Sequence, residues 1–143
     1  MIIDALLQFS DAQDIKSGGA STNVVDLGQP NPDVGLWERK LNIVVCPTTE
    51  FKGTGTGVTL KVDLQDCDTD NGSFTTVLST GEVAAPTATS PLILPMPAKH
   101  RRYLKLNYTV KATGDSSPTV SAGAVSAYLT DALQANSNWM PEK

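Results

Sequence analysis

Residues 101–111 read Arg101-Arg102-Tyr103-Leu104-Lys105-Leu106-Asn107-Tyr108-Thr109-Val110-Lys111, and this stretch decides the fold. From Leu104 to Val110 the apolar residues occupy every second position, with polar residues between them. That period is typical of a β-strand with one buried and one hydrated face. A turn-forming segment at 112–118 and a second extended run at 119–129 follow it. We therefore predict a hairpin here, and a sheet built around its first strand.

Shorter β-type runs recur through the rest of the chain, separated by glycine, proline and acidic turn residues. The predicted strands are 21–27, 36–45, 58–65, 74–79 and 92–94. Pro47 is expected to end the 36–45 strand. The 74–79 strand is expected to pair with the 58–65 strand as a hairpin. Prolines on both sides of 92–94 indicate either a sheet edge or a strand that switches sheets. With no long helical pattern, the sequence predicts an all-β fold, an antiparallel β-sandwich of jelly-roll type.

The length of 143 residues predicts a single domain. Within it, residues 1–16 form a mostly extended N-terminal arm, residues 17–129 the sandwich, and residues 130–143 a C-terminal tail. The predicted fold class is therefore a β-sandwich with extended N-terminal and C-terminal arms.

Charge and composition exclude several classes of protein. The net charge is −4, whereas binding to DNA or RNA normally needs a basic face. The N-terminus carries Asp4 and no positive charge, so we expect no signal peptide, and no apolar run is long enough to span a membrane. Cys46 and Cys67 are interpreted as two free buried thiols, with a disulfide between them left open.

Two short motifs resemble ligand sites without their full pattern. Residues 53–57 read Gly-Thr-Gly-Thr-Gly but lack the Lys-Ser/Thr ending of a phosphate loop, which indicates a flexible connection. Asp66, Asp68 and Asp70 are spaced like calcium ligands, yet the sixth position is Asn71 instead of glycine, and the twelfth is not glutamate. We interpret them as a solvated acidic turn.

The sequence contains no catalytic signature. His100 is the only histidine, and no Gly-x-Ser-x-Gly elbow accompanies it. We interpret it as a surface residue beside a basic turn, which is formed by Arg101 and Arg102. We predict no enzymatic activity, no cofactor and no metal.

Apolar residues near the two ends are the stronger functional signal, because exposed apolar surface needs a covering partner. They pack either on the domain's own sheet or on another chain; both alternatives remain open from the sequence. The basic turn is a second candidate, since it can meet an acidic patch on a protein partner. The interface candidates are Ile2, Ile3, Leu6, Leu7, Phe9, Trp37, Arg101, Arg102 and Trp139.

Four segments carry a resemblance to a known family. They are residues 1–13 (MIIDALLQFSDAQ), 21–28 (STNVVDLG), 74–78 (FTTVL) and 102–110 (RYLKLNYTV). In this order they resemble the capsid cement (decoration) proteins of tailed bacteriophages, such as Bordetella podophages. The resemblance covers roughly residues 1–130 and leaves out the 30–37 loop and the tail.

The resemblance implies a structural virion protein. Such a protein multimerises as a dimer or trimer on the outer surface of an icosahedral head, where it clamps neighbouring major capsid subunits and stabilises the expanded shell. It would be made in the host cytoplasm and bind neither nucleic acid nor membrane. The alternative from another class is a carbohydrate- or receptor-binding β-sandwich.

Overall fold

The computed structural model describes residues 4–29 and 41–131. Within these two ranges, a 3-10 helix at Ala5–Leu7 precedes ten strands. These are β1 (Gln8–Asp14), β2 (Gly19–Ala20), β3 (Val25–Asp26), β4 (Asn42–Gly53), β5 (Gly57–Cys67), β6 (Thr75–Ser79), β7 (Val83–Ala84), β8 (Leu92–Pro95), β9 (Tyr103–Thr113) and β10 (Val120–Thr130).

The strands form two antiparallel sheets that pack into a sandwich. Sheet A has the order β1-β10-β4-β8, and sheet B has the order β2-β9-β5-β6, with β3 on β9 and β7 on β5. The pairing follows a single ribbon rolled on itself: β1 pairs with β10, β2 and β3 with β9, β4 with β8, and β5 with β6. This is the topology of a jelly roll, so the predicted antiparallel β-sandwich is confirmed. The predicted C-terminal tail lies, from residue 132 on, outside the described residues.

Strand β9 is central to sheet B, as its alternation predicts. Leu104, Leu106 and Tyr108 are at most 1% exposed and face the core between the sheets. The Tyr108 hydroxyl lies 2.8 Å from the Ser10 hydroxyl of β1, and both groups are buried. Burial raises the pKa of Tyr108 to about 12, although the hydrogen bond to Ser10 opposes this. The pair links the two sheets across the core.

The predicted hairpin of β9 and β10 is wrong, because the two strands belong to different sheets. The chain crosses from sheet B to sheet A between Thr113 and Val120, beside the crossing from β4 to β5. Backbone hydrogen bonds join the two crossings: Thr54 donates to the Thr119 carbonyl at 2.9 Å, and Thr56 to the Thr113 carbonyl at 2.8 Å. Residues 53–57 are therefore a corner of the sandwich. The predicted hairpin of β5 and β6 is confirmed.

Strand β4 does not end at Pro47. It continues to Gly53, because β10 pairs with it there through several register irregularities, and its opposite edge has no described partner beyond Val45. A proline at an unpaired or irregular position removes no ladder hydrogen bond. The described part of the predicted 36–45 strand thus begins β4. Within the predicted 21–27 strand, only the two-residue strand β3 forms, and β2 lies just before it at Gly19–Ala20. The Leu92–Leu94 segment lies in the edge strand β8, which is one of the two predicted alternatives.

The predicted N-terminal arm is incorporated into the sandwich from Gln8 onward. Strand β1 pairs with β10, and Phe9 and Ile15 are completely buried. In the described ranges, no helix is long and apolar enough to cross a membrane. Cys46 and Cys67 are free thiols, as predicted, but Cys46 is only partly buried.

Candidate interaction surface

The apolar candidates of the N-terminal segment separate into core and surface residues. Phe9 is fully buried and belongs to the core, and Leu7 is partly buried against it. Leu6 is 81% exposed on the 3-10 helix, which begins where the Asp4 carboxylate accepts the Leu6 N–H at 2.9 Å. Phe9 is therefore not available for contact with another chain, while Leu6 is. Ile2, Ile3, Trp37 and Trp139 lie outside the described residues.

Arg101 is held inside the protein by Asp66, whose side chain is only 4% exposed. The Arg101 backbone N–H donates to Asp66 Oδ2 at 2.8 Å, and its Nε donates to Oδ1 at 2.9 Å. Its Nη2 also donates to the Asp66 carbonyl at 2.7 Å and to the Thr75 hydroxyl at 2.6 Å. The guanidinium thus ties the segment before β9 to the β5–β6 hairpin instead of pointing to a partner.

Arg102 makes a second internal ion pair. Its Nε and Nη2 donate to the two carboxylate oxygens of Asp26 in β3, at 2.7 and 2.9 Å. The Arg102 hydrogen bonds, and after them the Gly28 backbone N–H, lower the pKa of Asp26 to about 2. The predicted basic turn is therefore neutralised by carboxylates of this chain, and a partner would have to compete with both pairs.

We expect the Asp26 carboxyl to titrate near pH 2 in the folded protein, and closer to its ordinary pKa of about 4 in Arg102→Ala. Because the folded pKa is lower than the unfolded one, the contact stabilises the fold above about pH 4 and loses this effect as the pH falls from about 4 to 2. Carbon-detected NMR of the aspartate carboxyls measures the titration. An Asp26 that titrates near 4 in the wild type would contradict the ion pair.

Two sequence interpretations near this turn need correction. His100 is 8% exposed, so it is buried, with Nδ1 lying 3.2 Å from the Arg101 carbonyl oxygen. Asp66 is not a solvated turn residue, because Arg101 satisfies its carboxylate; the same guanidinium also lies 3.6 Å from Asp68. Within residues 4–29 and 41–131, no group of three or more histidine, cysteine or acidic side chains is placed so that it could bind a metal ion.

Exposed apolar side chains lie along the two lateral sides of the sandwich, and sequence reasoning singled out only Leu6 as a contact. Leu6 and Val24 lie on the side of β1 and β3, where Asn23 donates hydrogen bonds to the carbonyls of Gln8 and Phe9. Ile93 and Val77 lie on the opposite edge strands, β8 and β6. The sequence feature that could have indicated an exposed Ile93 is the prolines on both sides of it, because they favour an edge position for that strand.

The outermost strands are unsuited to pairing with another chain along their length. In β1 the register shifts twice between Gln8 and Gln13, and Ala12 has a positive φ of 45°. In β6, Val77 is an extra residue opposite the step from Leu64 to Gln65, which makes a β-bulge. Strand β8 has four residues and ends in proline, and β2 and β3 have two each. Bulges, prolines and short strands all interrupt an edge ladder, which prevents open-ended aggregation.

The model of a protein family designated Bbp16 matches residues 9–129, which is nearly the whole sandwich from β1 to β10. No curated protein matches the chain.

Proposed function

The chain belongs to the Bbp16 family of Bordetella phage proteins, and on this basis we propose that it is a structural virion protein of the phage head. It binds the outer surface of the icosahedral shell and cements neighbouring major capsid subunits, which stabilises the expanded shell. The observation that carries the proposal is the family match across the complete jelly roll. We further propose that the protein is not an enzyme and needs no cofactor.

The physical basis of cementing is preferential binding to the assembled state. A protein that binds the expanded shell, and not its separated subunits, stabilises the shell by mass action. Many copies bound at once add their effects, so each contact can be individually weak and the shell still resists internal pressure. An acidic protein on the outer surface also has no attraction to the packaged nucleic acid.

The proposed partners are the major capsid protein and further copies of this chain, as a homodimer or homotrimer. The proposed location is the outside of the virion, after synthesis in the host cytoplasm. Among the N-terminal candidates, Leu6 is the described residue that is exposed enough to contribute.

The direct test is reconstitution on heads that lack the protein. Purified protein is mixed with expanded, undecorated phage heads and, separately, with unexpanded heads, and co-sedimentation measures binding. We expect saturable binding to the expanded heads and an increase in their thermal disruption temperature. Failure to bind expanded heads would contradict the proposal, and a clear hit on a glycan array would favour the carbohydrate-binding alternative.

Leu6→Asp is expected to weaken head binding or self-association at least tenfold, because a charge would be buried in an apolar contact. Deleting the whole segment through Phe9 is a poor test, because it also removes a core residue. The matched control is Ile93→Asp, which places the same charge at an exposed apolar residue on the opposite side. Wild-type behaviour of Leu6→Asp would remove Leu6 from the interface, and an unchanged melting temperature would establish that both variants fold.

A further inference from the structure

A groove of about 380 Å³ lies between β4 and the loop that connects β7 to β8. One wall is made by Pro47, Thr48 and Glu50 of β4, and the other by residues 86–89, Pro-Thr-Ala-Thr. The second wall is a tight turn, closed by two backbone hydrogen bonds between Thr87 and Ser90 at 3.1 Å. The groove is at the small end of the range of about 300–1,000 Å³ for ligand sites, so it accommodates a short segment and not a folded domain.

The groove runs beside an unpaired stretch of strand edge. Strand β8 pairs with β4 only from Asn42 to Val45, and from there to Gly53 the described residues leave that edge of β4 without a partner strand. Pro47 and the register irregularities with β10 interrupt this edge, so a continuous ladder does not form along it, as on the outermost strands. Its remaining free N–H and C=O groups are available for single hydrogen bonds to a peptide in the groove, and the opposite wall restricts access to a single segment.

The charge of the groove selects the side chain that would enter it. Most acidic side chains on this sandwich face an internal cation: Asp26 faces Arg102, Asp66 faces Arg101 and Glu82 faces Lys111. Glu50 forms no ion pair with any described residue and is exposed at the groove. A lysine or arginine side chain is complementary here, because its alkyl stem can cover Pro47 and Pro86 while its charge meets the Glu50 carboxylate.

We propose that this groove binds an extended segment of a partner protein that carries a lysine or arginine, with its cation paired with Glu50 and single hydrogen bonds to the backbone of β4. Thr48 and Thr89 offer hydroxyl groups for additional hydrogen bonds along the same segment. The identification of the partner as a shell protein rests on the proposed function. A glycan is a poorer fit, because none of the lining residues is aromatic, and aromatic rings usually provide the stacking platform for sugars.

The test compares two charge reversals at exposed carboxylates. Glu50→Lys reverses the charge in the groove, and Asp70→Lys does the same in the β5–β6 turn, where Asp70 also has no described ion pair. Both variants are mixed with expanded, undecorated heads at low and high salt. We expect Glu50→Lys to bind at least tenfold more weakly than Asp70→Lys, with the difference shrinking as salt screens the ion pair. Equal binding of the two variants overturns the proposal while leaving the head-binding function intact.

A second measurement tests the proposal with peptides alone and does not need phage heads. The probe peptides are acetyl-Thr-Val-Lys-Val-Thr-amide and the same peptide with glutamate in place of lysine, and the readout is the amide NMR spectrum of the whole protein. We expect the lysine peptide to shift residues 47–50 and 86–89, the glutamate peptide to shift neither, and Glu50→Lys to abolish the effect. If wild-type protein fails to bind heads but shows these shifts, the groove stands and the proposed function fails. Shifts elsewhere, or none with either peptide, overturn the groove as a peptide site.

Discussion

Phe9→Ala is expected to lower the free energy of unfolding by about 3–5 kcal/mol, the range for removing a buried phenylalanine from a core. Phe9 is fully buried between the sheets, with Ile43, Val125 and Ala127 in the same core cluster. The lost side chain leaves a cavity in the core, because the surrounding structure relaxes only partly. For a chain of this length the melting temperature should fall by roughly 10–15 °C, as measured by calorimetry.

Leu6→Ala is the matched control, three residues away in the same segment. Because Leu6 is 81% exposed, its truncation should change stability by about 0.5 kcal/mol or less. The two variants together separate a core residue from a contact residue within one apolar run. A Phe9→Ala protein that melts like the wild type would show that β1 does not pack on the core.

Arg101→Ala is expected to cost about 2–3 kcal/mol of stability, because it leaves the buried Asp66 carboxylate without its cation. We place the cost below that of breaking a fully buried pair, because Arg101 is one-third exposed and water replaces part of the interaction. Asp66 retains the backbone N–H of residue 101 and the Thr75 hydroxyl. Urea unfolding monitored by tryptophan and tyrosine fluorescence measures the difference.

Arg102→Ala is the matched control for this ion pair. Arg102 makes two hydrogen bonds to Asp26, fewer than the Arg101 side chain makes, and Asp26 is 44% exposed whereas Asp66 is 4% exposed, so the loss should be clearly smaller. The double variant Arg101→Ala/Asp66→Asn should recover part of the stability, since the uncompensated charge is then removed. Equal losses for the two arginine variants would contradict the role of burial.

The alternating strands were predictable because their period of two is set locally. Leu60, Val62 and Leu64 in β5, like Leu104 and Leu106 in β9, face the core as their spacing requires. The hairpin of β5 and β6 was also predictable, because a short turn joins strands that must lie side by side. These features depend only on residues that are close in sequence.

The pairing of β9 with β5, and not with β10, depended on information that the local pattern lacks. The turn after β9 has the composition of a hairpin loop, but it carries the chain to the other sheet alongside residues 53–57. A turn-rich segment has the same sequence signature whether it reverses a strand or changes sheets. The distinction is made by strand pairs that are distant in sequence.

The candidate surface was less predictable, because exposure and charge pairing are tertiary properties. Leu6 and Phe9 have the same apolar character in the sequence, yet one is exposed and the other is buried. Arg101 and Arg102 formed a basic cluster in the sequence, and Asp66 and Asp26, 35 and 76 residues away, neutralise them. The groove at Glu50 had no sequence signal, since its two walls come together only when the loop after β7 folds beside β4.

The rolled ribbon also sets the order in which the protein can fold. The β5–β6 hairpin is local and can form early, whereas the pairing of Gln8 with Tyr128 joins two ends of the sandwich. Contacts between residues so far apart slow folding, because the entropy of closing the intervening loop is lost before the contacts form. Strand β10 lies between β1 and β4 in sheet A, so during synthesis the facing edges of β1 and β4 stay unpaired until β10 has left the ribosome. We expect β10 to act as a checkpoint in folding, because sheet A cannot close before it is present.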